Sequence, residues 1–169
     1  MLGPPPNWAT SATNPDTAPN DAFLTDTAVP SDKVLDRTVV INSASPVLSF
    51  RNNFDTEFSD GTYWDGGVLE ISSPNINGGD FLDVTDGAIG GSFVSGPYTG
   101  TIDTSANNPL SGRDAWSSSS GGYINSVINL GPNLNGQTII LRWRFGTDDL
   151  TGAPGWRIDT ISLAGGSCP

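Results

Sequence analysis

The amino-acid sequence predicts an all-β fold, a two-sheet antiparallel sandwich, and three observations carry that expectation. Apolar residues alternate with polar ones at a period of two in short segments spaced roughly ten to twenty residues apart, the pattern of strands with one buried face. No segment holds a sustained i, i+3, i+4, i+7 apolar stripe, so helix content is expected to be minimal. The intervening chain is filled with Gly, Ser, Thr, Asn, Asp and Pro, while only 36% of the 169 residues are hydrophobic, a composition that suits many short strands and long loops.

Residues 1–20 begin with Met1-Leu2-Gly3 and continue with Pro4, Pro5, Pro6, Pro15 and Pro19, which predicts an extended arm or linker able to lie along the domain. The domain itself is expected over residues 21–164, with a short tail at 165–169. Strands are predicted at Lys33–Ile41, Pro46–Phe54, Gly67–Ser72, Phe81–Val84, Tyr123–Asn129, Gln137–Phe145 and Trp156–Leu163. The clearest is Gln137–Phe145, where Ile139, Leu141, Trp143 and Phe145 share one face and Ile140, Arg142 and Arg144 the other, as expected of a central strand. In the last strand Trp156 and Ile158 are in phase, but Ile161 and Leu163 fall on the opposite face. Either a bulge lies near Asp159-Thr160 or Asp159 points inward. Among the tryptophans, Trp143 and Trp156 are predicted core anchors and Trp116 a cover over the core edge, leaving Trp8 and Trp64 as candidate exposed contacts. The Gly/Ser/Asn-rich stretch Gly87–Ser120 is long for a loop, which points to a function or to ordering by an ion.

A chain of this length supports one core and therefore one domain. Its 18 acidic residues, all aspartate except Glu57 and Glu70, outnumber 7 basic ones and give a net charge of −11. Such a surface repels phosphate backbones and anionic lipid, so neither nucleic acid nor membrane insertion is expected. The sequence has no histidine and one cysteine, Cys168. The Ser-His-Asp and Cys-His triads, histidine zinc sites and an intrachain disulfide are therefore excluded. No enzyme activity is expected.

Four stretches, taken in order, resemble a known module: Leu48-Ser49-Phe50-Arg51-Asn52-Asn53-Phe54-Asp55-Thr56-Glu57; Trp64-Asp65-Gly66-Gly67-Val68-Leu69-Glu70-Ile71-Ser72; Pro109-Leu110-Ser111-Gly112-Arg113-Asp114-Ala115-Trp116; and Leu141-Arg142-Trp143-Arg144-Phe145-Gly146-Thr147-Asp148 leading to Gly155-Trp156-Arg157-Ile158-Asp159-Thr160-Ile161. Together they resemble the MAM-like, galactose-binding-like jelly-roll module that follows the catalytic domain in immune-inhibitor-A-type secreted metallopeptidases and occurs in other exported bacterial proteins. The resemblance implies an accessory sandwich, sometimes cation-stabilised, and no peptidase activity, since the His-Glu-x-x-His helix of those peptidases is absent.

Short carboxylates in loops are the ligand type of a hard cation, and calcium is the expected structural ion. The candidate ligands are Asp21 and Asp159, with Asp26 second to Asp21 as the early acid; in the pattern of the module an early acid lies close to the acid after the last hydrophobic pair. An Asp159–arginine ion pair is the competing arrangement. Asp65-Gly66-Gly67 directly before a strand predicts a turn that needs positive φ, with Asp65 making an Asx-type bond; the competing reading gathers Asp55, Glu57, Asp65 and Glu70 at one sheet end to bind a cation or ligand. Arg113 and Trp116, with Trp64, are candidate contacts to a sugar; the alternative pairs Arg113 with an acid. These readings converge on a non-catalytic accessory or adhesion module of a larger secreted or cell-surface protein, extracellular and monomeric. Its expected partners are a neighbouring domain of the parent polypeptide, a glycan or a cell-surface protein. A carbohydrate-binding module is the alternative and a glycosidase using two carboxylates the remote one.

Overall fold

The computed structural model describes residues 7–169. It contains fifteen strands: β1 (Ala9–Ser11), β2 (Asp21–Leu24), β3 (Ser31–Ile41), β4 (Val47–Asp55), β5 (Phe58–Ser59), β6 (Thr62–Tyr63), β7 (Gly66–Ser72), β8 (Leu82–Asp83), β9 (Ser92–Ser95), β10 (Gly100–Thr101), β11 (Asp114–Ala115), β12 (Ile124–Asn129), β13 (Thr138–Thr147), β14 (Gly155–Ala164) and β15 (Gly166–Ser167). Helix is confined to two 3-10 turns, Asn77–Gly79 and Pro132–Leu134. The strands build a two-sheet antiparallel sandwich. One sheet runs β1-β2-β14-β4-β12-β9 and the other β15-β3-β13-β7-β8, with the small pairs β5-β6 and β10-β11 attached. All seven predicted strands are present, shifted at their ends by two residues or fewer.

The alternation in β13 works as the period demands: Ile139, Leu141, Trp143 and Phe145 are buried, and between β3 and β7 the strand is fully paired. On its outer face Arg142 and Arg144 each clamp an aspartate of β3, Asp36 and Asp32, with two hydrogen bonds of 2.7–2.8 Å. The core is aromatic at its centre. Phe50 of β4 meets both Trp116 and Trp143 edge-on, with ring centroids 5.6 Å apart in each case. Trp116 is itself fully buried in the middle of this cluster, with its indole N–H donating to the Gly96 carbonyl, and so it is not a cover at the edge. Trp8 and Trp64 are half-buried, Trp8 packing on Trp156 at 5.3 Å.

The phase change in β14 resolves as a bulge. Asp159 pairs with Arg51 and Ser162 with Ser49, so Thr160 and Ile161 together face the single residue Phe50, and Thr160 takes φ 47°. The bulge turns Leu163 back onto the core and leaves Asp159 pointing outward. Of the N-terminal arm, Pro4 to Pro6 and the preceding Met1-Leu2-Gly3 lie outside the described residues. The remainder is attached to the domain through β1, which pairs with β2, and through Asp16, bound to Arg51 by two hydrogen bonds. The tail pairs with β3 through β15. Within Gly87–Ser120 lie β9, β10, β11 and Trp116, so that stretch is ordered by pairing and by core burial.

Candidate metal centre

Antiparallel pairing of β13 with β7 sets Gly146 opposite Gly66, so the residue before β7 and the residue after β13 emerge at the same end of the sandwich. These residues are Asp65 and Asp148. The loop after β2 brings Asp26 to this end and the turn after β4 brings Glu57. Two glycines let the loops close: a Cβ on Gly155, where φ is +111°, would sit 2.1 Å from the Leu24 carbonyl and 2.7 Å from the Asp26 amide, and one on Gly152 would sit 2.8 Å from the Asp26 carbonyl. The backbone of Asp65 is held by the hydroxyls of Thr56 and Ser117, which both donate to its carbonyl.

Three of the four acids share a division of labour. Asp65 Oδ1 accepts from the Asp148 amide at 2.7 Å and from the Asn108 side chain at 3.1 Å; Asp26 Oδ2 accepts from the Glu57 amide at 2.9 Å; and Asp148 Oδ1 accepts from the Leu150 amide at 3.1 Å. The second oxygens, Asp65 Oδ2, Asp26 Oδ1 and Asp148 Oδ2, are buried without a hydrogen-bond partner, and so is Glu57 Oε2. Asp26, Asp65 and Asp148 are 2%, 0% and 1% exposed. Oxygens of Glu57, Asp65 and Asp148 come within 4.8 Å of one another, the only such group of three or more metal-capable side chains among the described residues. No basic side chain there forms a salt bridge with any of the four: the five ion-paired arginines are committed to Asp16, Asp21, Asp32, Asp36, Glu70 and Asp83.

Burial without a counter-charge raises carboxyl pKa values. Desolvation lifts Asp26 to about 6, with the charges of Glu57 and Asp148 adding to it. Desolvation likewise lifts Asp65 to about 9, reinforced by the adjacent Asp26 carboxyl. Glu57 is raised by burial and then by the charge of Asp148. Two carboxyl groups in contact are compatible only if they share a proton or a cation, and the orphaned oxygens here face that choice. The donor set is all hard oxygen without imidazole or thiolate, which suits calcium and does not suit zinc.

The other sequence candidates have different partners. Asp21 accepts from Arg157 at 2.8 Å and from the Tyr123 hydroxyl at 2.6 Å, so the arginine pair weighed for Asp159 is found on Asp21. Asp159 instead accepts from the backbone amides of Thr17 and Thr160 at 2.7 and 2.6 Å. Neither belongs to the three-acid group, whereas Asp26 lies against it. Of the second candidate group, Glu57 and Asp65 come together, while Asp55 is exposed at the end of β4 and Glu70 is ion-paired with Arg113 and Arg144. Arg113 also binds Asp83 at 2.9 Å, the acid-paired alternative to a sugar contact. The Asx turn expected at Asp65 is absent, because its carboxylate bonds across the fold. Gly66 and Gly67 have no positive φ and are glycine for space: a Cβ would meet the Trp116 carbonyl at 2.7 Å and the Trp156 ring at 2.3 Å. Asp148 was not singled out in the sequence; its signal was its place directly after the strand that pairs with the strand following Asp65.

No protein-family model matches this chain, and no curated protein sequence matches it. No helix of the described residues is long and apolar enough to cross a membrane.

Proposed function

We propose that this chain is a non-catalytic accessory β-sandwich whose fold is closed at one end by a structural calcium ion held by Asp26, Glu57, Asp65 and Asp148. One observation carries the proposal: Glu57, Asp65 and Asp148 bring oxygens within 4.8 Å of one another with Asp26 against Asp65, each of the four has a buried, unpartnered oxygen, and no basic residue is bonded to them. An uncompensated cluster of this kind opposes folding, and a hard cation turns that cost into cohesion between the loop after β2, the segment flanking the β5-β6 hairpin and the loop after β13. The cation supplies charge neutralisation and cross-linking only; the loops supply geometry. The resemblance to MAM-like modules of exported proteins, which rests on the four motifs alone, agrees with an accessory role and with a calcium-rich extracellular setting. The absence of histidine speaks against triad and zinc hydrolases, and the burial of Asp26, Asp65 and Asp148 speaks against a carboxylate pair open to a glycoside.

Thermal melting of chelated protein with and without calcium tests this. An ion bound only by the folded state at a hundred times its Kd adds about 2.7 kcal/mol, which for a domain of this size raises Tm by several degrees and in proportion to the logarithm of concentration. An unchanged Tm in millimolar calcium contradicts the proposal, as does turnover of peptide or polysaccharide that vanishes on replacing one carboxylate.

A further inference from the structure

On the edge strand β3 the residues of core phase are Lys33, Leu35, Arg37, Val39 and Ile41. Val39 and Ile41 are buried, whereas Arg37 is exposed. The tail strand β15 covers β3 only at Val40 and Ile41, so among the described residues nothing pairs with the edge from Ser31 to Val39. Across the sandwich, the bulge in β14 brings Ile161 and Leu163 to the same region. Between them lies a half-open cleft of about 510 Å³, walled by Leu35, Val39, Leu141, Trp143, Ile161 and Leu163. Ile161 is 47% exposed there, an apolar side chain left facing solvent. The charged lining is Asp36, neutralised by Arg142, and Arg37. Of the seven basic residues of the chain, Arg37 and Lys33 alone have no ion pair among the described residues, although acids outnumber bases by 18 to 7.

From this juxtaposition we propose that the cleft is a binding site for a small amphipathic carboxylate, its apolar body lying against Leu35, Leu141, Ile161 and Leu163 and its carboxylate on the unpaired guanidinium of Arg37. The volume and apolar walls are those of a small-molecule pocket, and a planar guanidinium is the side chain best suited to take a carboxylate through two parallel hydrogen bonds. An anion there is recognised locally and against the field of a protein of net charge −11, so binding depends on the contact with Arg37 and not on long-range attraction. The competing role for an inward-phased charge on an open edge is to block strand pairing between molecules. That role requires no cleft and predicts a different result.

Decanoate, with decanol as the uncharged comparison, tests the proposal by calorimetric titration of the intact chain. Decanoate is expected to bind saturably and to slow alkylation of Cys168, an exposed thiol in the cleft lining and the only cysteine in the chain. Arg37→Gln, at a side chain without hydrogen-bond partners among the described residues, should keep the fold by circular dichroism, weaken decanoate about tenfold and remove its advantage over decanol. Leu163→Asp should abolish binding of both. Four results overturn the proposal: no saturable binding at millimolar decanoate; binding that leaves Cys168 alkylation unchanged; binding that is indifferent to Arg37→Gln; or self-association of Arg37→Gln with decanoate affinity intact, which assigns Arg37 to guarding the edge. Binding of an extended acidic peptide in place of decanoate overturns it as well. The outcome is independent of calcium, because no residue of the cleft belongs to the acid cluster.

Discussion

At Asp65 the two carboxylate oxygens have different surroundings, with Oδ1 fixed by the Asp148 amide and Asn108 and Oδ2 buried without a hydrogen-bond partner. The consequence for stability has a definite sign. Asp26 and Asp65 have folded-state pKa values of about 6 and about 9, both above the ordinary 3.8, so without a cation the folded chain binds protons that the unfolded chain releases. The contribution of this pair to the stability of the metal-free protein is therefore fully present below the unfolded value and is lost as pH rises through the two folded-state values. Melting of chelated protein across this range should show Tm declining with pH, and millimolar calcium should flatten or invert the trend, because the cation replaces the protons. The same scale separates the tryptophans. Trp143→Ala and Trp156→Ala remove fully buried rings and should each cost roughly 3–5 kcal/mol in denaturant unfolding, whereas half-buried Trp64→Ala should cost under about 1. Trp116 belongs with the first pair. Nothing in its flanking Gly112 and Ser117–Ser120 marked it as core, because its burial comes from Phe50 and Phe93 on other strands and from Tyr98 in the loop after β9.

Among the elements, strands of six residues or more were legible, since alternation in β3, β4, β12, β13 and β14 reflects a face that must be buried, and β7, buried along its whole length, was marked by Leu69 and Ile71 in phase. The two-residue strands β5, β6, β8, β10, β11 and β15 are too short to carry a period, although the Phe81–Val84 pattern located β8. β14 shows why a broken period is information: Trp156 and Ile158 out of phase with Ile161 and Leu163 required either a bulge or an inward acid, and only the backbone at Thr160 distinguishes the two. Asp159 was read as a ligand on that ambiguity, and the bulge removes the reason for it to face the core. The loops that form the acid cluster depend on close backbone approach, most tightly at Gly155. Gly155→Ala forces a left-handed φ on alanine and drives its Cβ into the Leu24 carbonyl, so unfolding should show a loss of about 2–3 kcal/mol or more. Gly136→Ala, with positive φ but open space around it, should lose only about 1 kcal/mol.

For the whole molecule, the charge of −11 is not spread evenly into solvent: arginines neutralise six of the acids, while Asp26, Glu57, Asp65 and Asp148 are gathered where two sheets end and four loops meet. Composition alone pointed to a hard cation, since aspartate-rich loops with no histidine leave few other metals. Which acids converge depended on strand register and loop closure, and sequence order could not rank Asp26 above Asp21 because one opens and the other closely follows the same short strand. The central claim is that this cluster binds one ion and that Asp65 is among its ligands. Metal analysis of protein dialysed against calcium, for the natural chain and for Asp65→Asn, tests it most directly. Asparagine keeps the Oδ1 acceptor for Asp148 and Asn108 and removes the charge that burial opposes, so the variant should fold without calcium at least as stably as the natural chain. The account predicts one calcium per natural chain and none in folded Asp65→Asn; no bound calcium in the natural chain, or one ion retained undiminished by Asp65→Asn, would contradict it.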